Sequence, residues 1–437
     1  MRKFWLQSLA ITTFVFFMMW AVSGITDYKL FSAFDPISQA LQDFELTDYA
    51  FSKLRPDPTV DERIIIVNLA PSRREMAQQL QVISQYKPRV IGIDSYFDCE
   101  GNLRDSINCP QLKDTLGNLL LSSAIADAGN VVLVSKLLQK RKTADAAIID
   151  QYDSIEYSDP IFKDNARRNC FANLVTDAVY QEDVKLCRVF IPKVAVNKKD
   201  EYAFAVGMAM EYDSVKTKEF LSRNNEEEIV NYRGNVEIQD VRLRSLKNKD
   251  LGTTNFNGMF YAVDWDKLLA GEVAVDLFKD RIVILGFMGD YFGDPSWSDK
   301  YFTPLNKKVA GRANPDMFGV VVHANILAMI LNEDYVNQLV DWQKYFIAFL
   351  VCLLTAALFI FIDKKLPAWF DALSVIIQIF QILAFSLLMV EVFANFSFKL
   401  DLTITLAVSA LVGPCYDIFK SFQNEINNRL TKRREAV

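Results

Sequence analysis

Apolar residues are spread so unevenly along this chain that their distribution decides its architecture before any motif is sought. Residues 4–25 (FWLQSLAITTFVFFMMWAVSGI) carry no charged side chain, and three further apolar runs, residues 345–362, 372–396 and 402–422, crowd the C-terminus. A hydrocarbon core of about 30 Å is crossed by roughly 20 apolar helical residues, so each run has the length of a membrane span. A cleaved signal peptide is the alternative for the first run. That run is longer than an h-region and no small-x-small site follows it, which favours an uncleaved anchor. Trp5, Trp342, Tyr345 and Trp369 lie near span ends, where an interfacial aromatic belt is expected. The chain therefore reads as one large soluble domain, residues 26–341, set between one N-terminal and three C-terminal helices.

Basic residues orient these spans. Arg2 and Lys3 precede the first, Lys364 and Lys365 follow the second, and Arg429, Lys432, Arg433 and Arg434 follow the fourth. With four spans, all three clusters share one side. Residues 1–3 and the basic tail 423–437 are then expected in the cytoplasm and residues 26–341 outside it. The 51% apolar content excludes disorder. A net charge of −6 offers no footprint for nucleic acid.

Within the soluble stretch, strand and helix patterns alternate. Arg63–Leu69 (RIIIVNL), Arg89–Phe97 (RVIGIDSYF), Val131–Ser135 (VVLVS) and Arg281–Phe287 (RIVILGF) read as strands buried on both faces. Arg74–Tyr86 and Leu116–Ala128 read as amphipathic helices between them, which implies parallel crossovers. Further expectations are short strands in the middle third, clearest at Phe190–Val194, and a helix at Tyr202–Tyr212. Glu228–Tyr232 is expected to complete the sheet and Ala262–Ala270 to form a helix. Pro36 opens an entry helix through Ile37, Leu41 and Phe44. The last helix of the domain is expected to start at Pro315, capped by Asn314, and to run to about Leu331. Glu226–Glu228 reads as a solvated acidic face. The fold class is a mixed α/β sheet domain plus an α-helical membrane region.

Cys99, Cys109, Cys170 and Cys187 fall in the exported stretch, while Cys352 and Cys415 fall within spans. An even count in an oxidising compartment favours disulfides, and neighbours in sequence suggest Cys99–Cys109 and Cys170–Cys187. Four buried free thiols are the alternative. No Cys-x-x-Cys spacing supports zinc.

The order RIIIVNLA, PRVIGIDSYF, VVLVS, NYRG (Asn231–Gly234), DRIVILG and GVVVHANILAMIL, with one span before and three after, resembles the type-2 CHASE (Cyclase/Histidine-kinase-Associated Sensory Extracellular) domain over roughly residues 35–340. The resemblance implies a ligand-sensing domain outside the cytoplasm, signalling across a bacterial inner membrane. Here only fifteen residues follow Phe422, so no C-terminal catalytic module is expected and the effector would be a separate protein. Two local departures from the pattern are the stretched loop Asp294–Phe302 and Phe318–Gly319 in place of Pro-Gly.

Ligands of open α/β sheets favour the crevice beyond the carboxyl ends of the strands. Asp94 and Asp98 follow one strand, Asp290 and Asp294 another. With Thr303 and His323 they are candidates for one rim, suited to a polar or cationic small molecule or to a hard cation such as Ca²⁺. The alternative is that Asp94 and Asp290 cap backbone amides and the outer acids are solvated. His323, the sole histidine, sits beside the apolar stripe of its helix and is expected to be a hydrogen-bonded structural residue. Glu391 and Asp417 are acids within spans, candidates for helix–helix or partner contacts.

No nucleophile–base pair, Gly-x-Gly-x-x-Gly loop, metal motif or cofactor signature occurs, so catalysis is not expected. The leading expectation is a non-catalytic receptor-like membrane protein that senses a small molecule or an envelope protein and relays to a separate cytoplasmic or membrane effector. The alternative is a structural anchor of an envelope complex. The sequence leaves a homo-oligomer open.

Overall fold

The computed structural model describes residues 2–26, 48, 50–55, 59–98, 113–138, 152, 154–176, 185–236, 259–274, 276–294, 298–306 and 314–435. Helix α1 (Arg2–Thr26) opens the chain, and the polypeptide divides into two compact units, residues 1–55 with 337–437, and residues 56–336.

The unit of residues 56–336 is built on a twisted, mostly parallel sheet. Strand β1 (Ile64–Asn68) is followed by α2 (Arg73–Gln85), β2 (Val90–Asp94), α3 (Thr115–Ala128) and β3 (Val131–Leu138). Then come β4 (Ser154–Tyr157), α4 (Pro160–Lys163), β5 (Arg168–Phe171), β6 (Val189–Phe190), β7 (Lys193–Val196) and β8 (Lys199–Tyr202). Helices α5 (Phe204–Tyr212) and α6 (Ser214–Ser222) lead to β9 (Glu228–Ile229), β10 (Asn235–Val236) and β11 (Met259–Val263). The unit ends with α7 (Trp265–Leu269), β12 (Ile282–Gly286), β13 (Lys300–Tyr301), β14 (Met317–Phe318) and α8 (Gly319–Asn332). Eight strands among the described residues form the main sheet in the order β10-β11-β1-β12-β2-β3-β4, with β5 also paired to β3. All pairs are parallel except β3–β4.

The continuous apolar runs of the sequence become the central strands because helices cover both sheet faces. Ile65 and Val67 of β1, Ile91 and Ile93 of β2, and Val283 and Leu285 of β12 share one core with Leu80 and Ile83 of α2, Leu121 and Ile125 of α3 and Leu268 of α7. Full burial of each such side chain stabilises by about 1.5–3 kcal/mol. On the other face the helices come closer. Phe204 and Met208 of α5 press on Gly92, and Val320 of α8 presses on Gly286, where a Cβ would collide with them. Local signals fix the helix ends. Ser72 caps α2, its hydroxyl oxygen accepting from the Glu75 N–H and its O–H donating to the Glu75 carboxylate. Asp114 caps α3 by accepting from the Gly117 N–H, and Gly129 ends α3 at φ 67°.

Two segments of the sequence pattern meet directly. Asn325 of α8 accepts from the N–H groups of Arg233 and Gly234 and donates to the Gly234 carbonyl, so the NYRG segment is pinned along α8. The two ends of the unit also meet. Asn332 donates to Asp61 at 2.7 Å, Arg63 bonds both Asp61 and Asn332, and Arg233 spans the Thr59 carbonyl and Asp334.

Several expectations are corrected. Glu228–Tyr232 does not complete the sheet: Glu228–Ile229 pairs with β6 apart from it, and β10 takes the edge. Nor is the acidic run wholly solvated. Glu228 is buried and held by Arg223 at 2.7 Å and by Asn225. Met259–Val263 is a strand where Ala262–Ala270 was expected to be helical throughout, because its Tyr261, Ala262 and Val263 register with β1 before Asp264 caps α7. Phe190–Val194 breaks into β6 and β7 at Pro192. The last helix starts at Gly319, not at Pro315. Met317 and Phe318 pair antiparallel with β13, and the Asp316 carboxylate is engaged by Thr303, so the backbone stays extended there.

Cys170 and Cys187 do not form the expected disulfide. Both side chains are buried, and neither is bonded to the other. Cys170 lies in β5 under Gly207 of α5, and the Cys187 Sγ donates to the Val189 carbonyl at 3.7 Å. Burial pushes the Cys170 thiol up to about 12. Cys99, Cys109 and the entry helix at Ile37–Phe44 lie outside the described residues.

The other unit is helical. It contains α1, a π-helical turn (Ala50–Leu54), β15 (Asn337–Gln338), α9 (Asp341–Lys365), a 3-10 turn (Pro367–Trp369), α10 (Phe370–Phe396), β16 (Phe398–Lys399) and α11 (Thr403–Glu435). Ile11 and Val15 of α1 pack with Cys352, Ala356 and Phe359 of α9 and Val408, Val412 and Tyr416 of α11. Among the described residues three helical stretches are long and apolar enough to cross a membrane: Arg2–Ala21, Asp341–Lys365 and Pro367–Phe396. Helix α11 contains the expected fourth span, but Pro414, Asp417 and Lys420 interrupt its apolar run.

Glu391 is exposed on α10 and accepts from Asn395 one turn on. Asp417 is exposed as well. A polar contact between helices is made beside it, where Tyr416 Oη and Lys420 Nζ both donate to Asp363 of α9, at 3.0 and 2.7 Å.

Candidate ligand crevice at the carboxyl edge of the sheet

Strands β1 and β2 feed helices on one face of the sheet, whereas β12, inserted between them, leads to α8 on the other. Connections that part to opposite faces leave a crevice at the carboxyl ends of the strands, the usual ligand position in open α/β sheets. The register puts Asn68, Gly286 and Asp94 side by side at that edge.

On the β1 side the crevice is closed by hydrogen bonds. Asn68, fully buried, donates to Asp264 at 2.8 Å and to the Gly289 carbonyl at 3.0 Å, and accepts from the Met288 N–H at 2.8 Å. The remaining Asp264 oxygen accepts from the Phe292 N–H. These contacts fasten the loop that follows β12. Within the loop Asp294 accepts from the Asp290 N–H at 3.1 Å, and its Cβ occupies the space above Gly289, which adopts φ 95°.

On the β2 side the arrangement differs. Asp94 faces Asp299, and neither carboxylate has a hydrogen-bond partner among the described residues. Asp299 sits in the left-handed region at φ 54°, which a short polar side chain tolerates better than most. Its carbonyl accepts from the Gly319 N–H at 3.0 Å, and its carboxylate lies where a Gly319 Cβ would be tight, about 3.1–3.2 Å away. The glycine of the Phe318–Gly319 pair thus lets Asp299 approach the start of α8. Burial pushes Asp94 up to about 7. Asp299 keeps an exposed edge, yet its carboxyl is crowded. Burial first and the charge of Asp94 second push it to about 7, with Lys185 pulling the other way. Tyr301 stands over the same two acids, and burial, then Asp299 and Asp94, raise its pKa. Lys185 lies 5.8 Å from the Tyr301 ring centre, held there because the Phe302 N–H donates to its carbonyl.

The structure therefore brings one expected residue, Asp94, to the rim and gives it partners the sequence did not single out: Asp299, Tyr301 and Lys185. The other candidates do not converge there. Asp98 lies in the field of Arg73, with Asp159 and Asp114. Asp290 is exposed, and Asp294 stitches its own loop. Thr303 is committed to the buried Asp316, which accepts its hydroxyl at 2.6 Å and its N–H at 2.9 Å. Despite these bonds, burial pushes Asp316 up to about 7.

His323 is buried on α8 with its ring edge-on to Phe204, 5.3 Å between centres. Its Nδ1 has no partner among the described residues, and burial lowers its pKa to about 4. It is a packed neutral imidazole rather than a member of the rim. No group of three or more His, Cys, Asp or Glu side chains among the described residues is placed to hold a metal ion. Asp94 and Asp299 supply at most four of the roughly six to eight oxygens that Ca²⁺ takes.

The family model of the CHASE2 domain matches residues 19–358. The chain belongs to the CHASE2 domain family. This is a family of sensory domains, and the match covers the whole α/β unit with helical residues on both sides of it. Comparison with curated proteins and with solved structures returned no match.

Proposed function

We propose that this CHASE2 protein is a multi-pass membrane receptor without catalytic output of its own. Its α/β domain faces away from the cytoplasm, takes an organic cation in the Asp94–Asp299 crevice, and relays occupancy through its helices to a separate effector. The observation that carries this reading is the pair of facing carboxylates at the switch point of the sheet, left without hydrogen-bond partners among the described residues while the neighbouring Asn68 and Asp264 are engaged. A cationic group seated between them would remove their mutual repulsion and let both ionise. An ammonium or guanidinium fits two carboxylates flanked by the Tyr301 ring better than a hard metal ion does.

The membrane part of the proposal rests on the three apolar helical stretches, with residues 402–422, all but the first of them in α11, as a fourth span. Its orientation rests on the basic clusters at Arg2–Lys3, Lys364–Lys365 and Arg429–Arg434.

Thermal unfolding of the full-length protein in detergent micelles at pH 8, titrated with a panel of mono- and diamines and guanidinium compounds, tests the crevice. At least one compound should raise the melting temperature in proportion to the logarithm of its concentration, and Asp94→Asn should abolish the rise. A panel that leaves the wild type unmoved removes the ligand assignment. Orientation is tested separately with Lys198→Cys, an exposed turn position. Its labelling by a membrane-impermeant maleimide in intact cells is expected, and protection until lysis would reverse the topology.

A further inference from the structure

Helix α11 runs from Thr403 to Glu435 with Pro414 inside it. Proline has no N–H, so the Ala410 carbonyl loses its intrahelical donor. In a membrane such a break is tolerated where a neighbouring helix supplies the missing bond. Here the neighbour is α10. Gln378 Nε2 donates to the Ala410 carbonyl at 2.9 Å and to the adjacent Ser409 carbonyl at 2.9 Å. Gly413 makes the approach possible, since a Cβ at that position would run into the Gln378 amide.

Two further contacts bracket this point. One turn along α10, Gln381 Nε2 donates at 2.8 Å to Thr355 Oγ1 of α9, which itself donates to the Val351 carbonyl. Past the proline, Tyr416 and Lys420 hold Asp363, also on α9. Hydrogen bonds therefore grip α11 from α10 before Pro414 and from α9 after it. Apolar packing joins it to α9 before the proline, at Val408 and Val412, and to α10 after it, where the Phe370 ring lies 5.0 Å from that of Tyr416. The two hydrogen-bonded grips are joined along α11 by a turn of helix that lacks a backbone hydrogen bond.

We infer that Gln378 and Gly413 form a latch on a proline hinge in α11. With the amide seated, the freed carbonyl is satisfied and α11 is held in one arrangement. With the amide withdrawn, the turn around Pro414 opens and the two halves of α11 move independently. The device lies in the helical unit alone and stands whether or not the sheet crevice takes a cation.

The test is amide hydrogen exchange of the full-length protein in lipid nanodiscs, read over residues 411–418. Replacing Gln378 with Leu should speed exchange there by roughly three- to twentyfold, the range expected from one interhelical hydrogen bond in a membrane protein. Gly413→Ala, which displaces the amide without deleting it, should do the same and serves where the first variant fails to insert. Pro414→Ala restores the missing N–H. In that background Gln378→Leu should change exchange by less than about twofold, because the carbonyl no longer needs an outside donor. Unchanged exchange in both latch variants would overturn the inference. So would an equal increase on Gln378→Leu with and without the Pro414→Ala change, which would mark Gln378 as a packing residue only.

Discussion

Two strand tips on either side of β12 end in side chains of nearly the same shape and opposite circumstances. Asn68, at the end of β1, is fully buried and engages three partners. Asp94, level with it at the end of β2, has none among the described residues and meets another carboxylate instead. An amide offers both donors and acceptors and can close a crevice by itself. A carboxylate only accepts, and a facing carboxylate gives it nothing to accept. One edge of the switch point is thereby a fastened seam and the other an open seat. A polar residue at a strand tip acquires a function through what its neighbours leave undone.

The largest effect should come from breaking the seam. Asn68→Ala strands the Met288 N–H, the Gly289 carbonyl and one Asp264 oxygen in the interior, and should cost on the order of 3–4 kcal/mol in thermal unfolding of the full-length protein in micelles. A loss under about 1 kcal/mol would mean that the β12 loop is held by something other than Asn68.

His323 offers the next contrast, a buried titratable group with the opposite sign to Asp94. Its folded-state pKa of about 4 lies below the reference value of 6.5. The unfolded chain therefore binds the proton more readily between these values, and stability falls as pH drops through that window. The loss at pH 4 should approach roughly 3 kcal/mol. The difference in stability between wild type and His323→Gln, followed from pH 7 to pH 4, should shift in favour of the variant. A flat difference would place the imidazole in contact with water.

Asp94→Asn converts the seat toward the seam. The folded-state pKa of Asp94, about 7, lies above the ordinary aspartate value of 3.8. Its contribution to stability is thus fully present below pH 4 and is lost as pH rises to 7. The variant should gain about 1 kcal/mol over wild type at pH 8 and little at pH 4. Cation affinity in the wild type should fall as pH drops below 7, because protons then compete for the same oxygens. A pH-independent affinity measured by titration calorimetry would place the cation elsewhere.

The smallest change is Gly319→Ala, whose Cβ would require Asp299 to give by a few tenths of an ångström. It should weaken cation binding a few-fold with little effect on melting. An unchanged affinity would show that the exact position of Asp299 is not what the ligand reads.

The central strands β1, β2 and β12 are legible in the sequence because parallel strands covered on both faces must be continuously apolar. The edge of the sheet is less so. Residues 262–270 carry both the end of β11 and α7, and only the register with β1 separates them. Pro315 is an acceptable helix start in isolation, and it loses to β13 and to the Thr303–Asp316 contact, neither of which has a local signal. Asp94 was visible as an acid at the end of a buried strand. Asp299 was not, because its role depends on a left-handed backbone, a glycine further along the chain and a partner from a distant strand. The expected Cys170–Cys187 pairing failed for a similar reason: nearness along the chain does not bring β5 to the segment that precedes β6. Resemblance to the family, in contrast, rested on the order of many segments and survived errors in any one of them.

The meeting of Thr59, Asp61 and Arg63 with Asn332 and Asp334 means that the polypeptide leaves the α/β unit where it entered. A domain closed at its own doorway behaves as a detachable cassette. It can be lifted out of its helical host, or exchanged for another with the same narrow doorway, without re-threading the chain on either side.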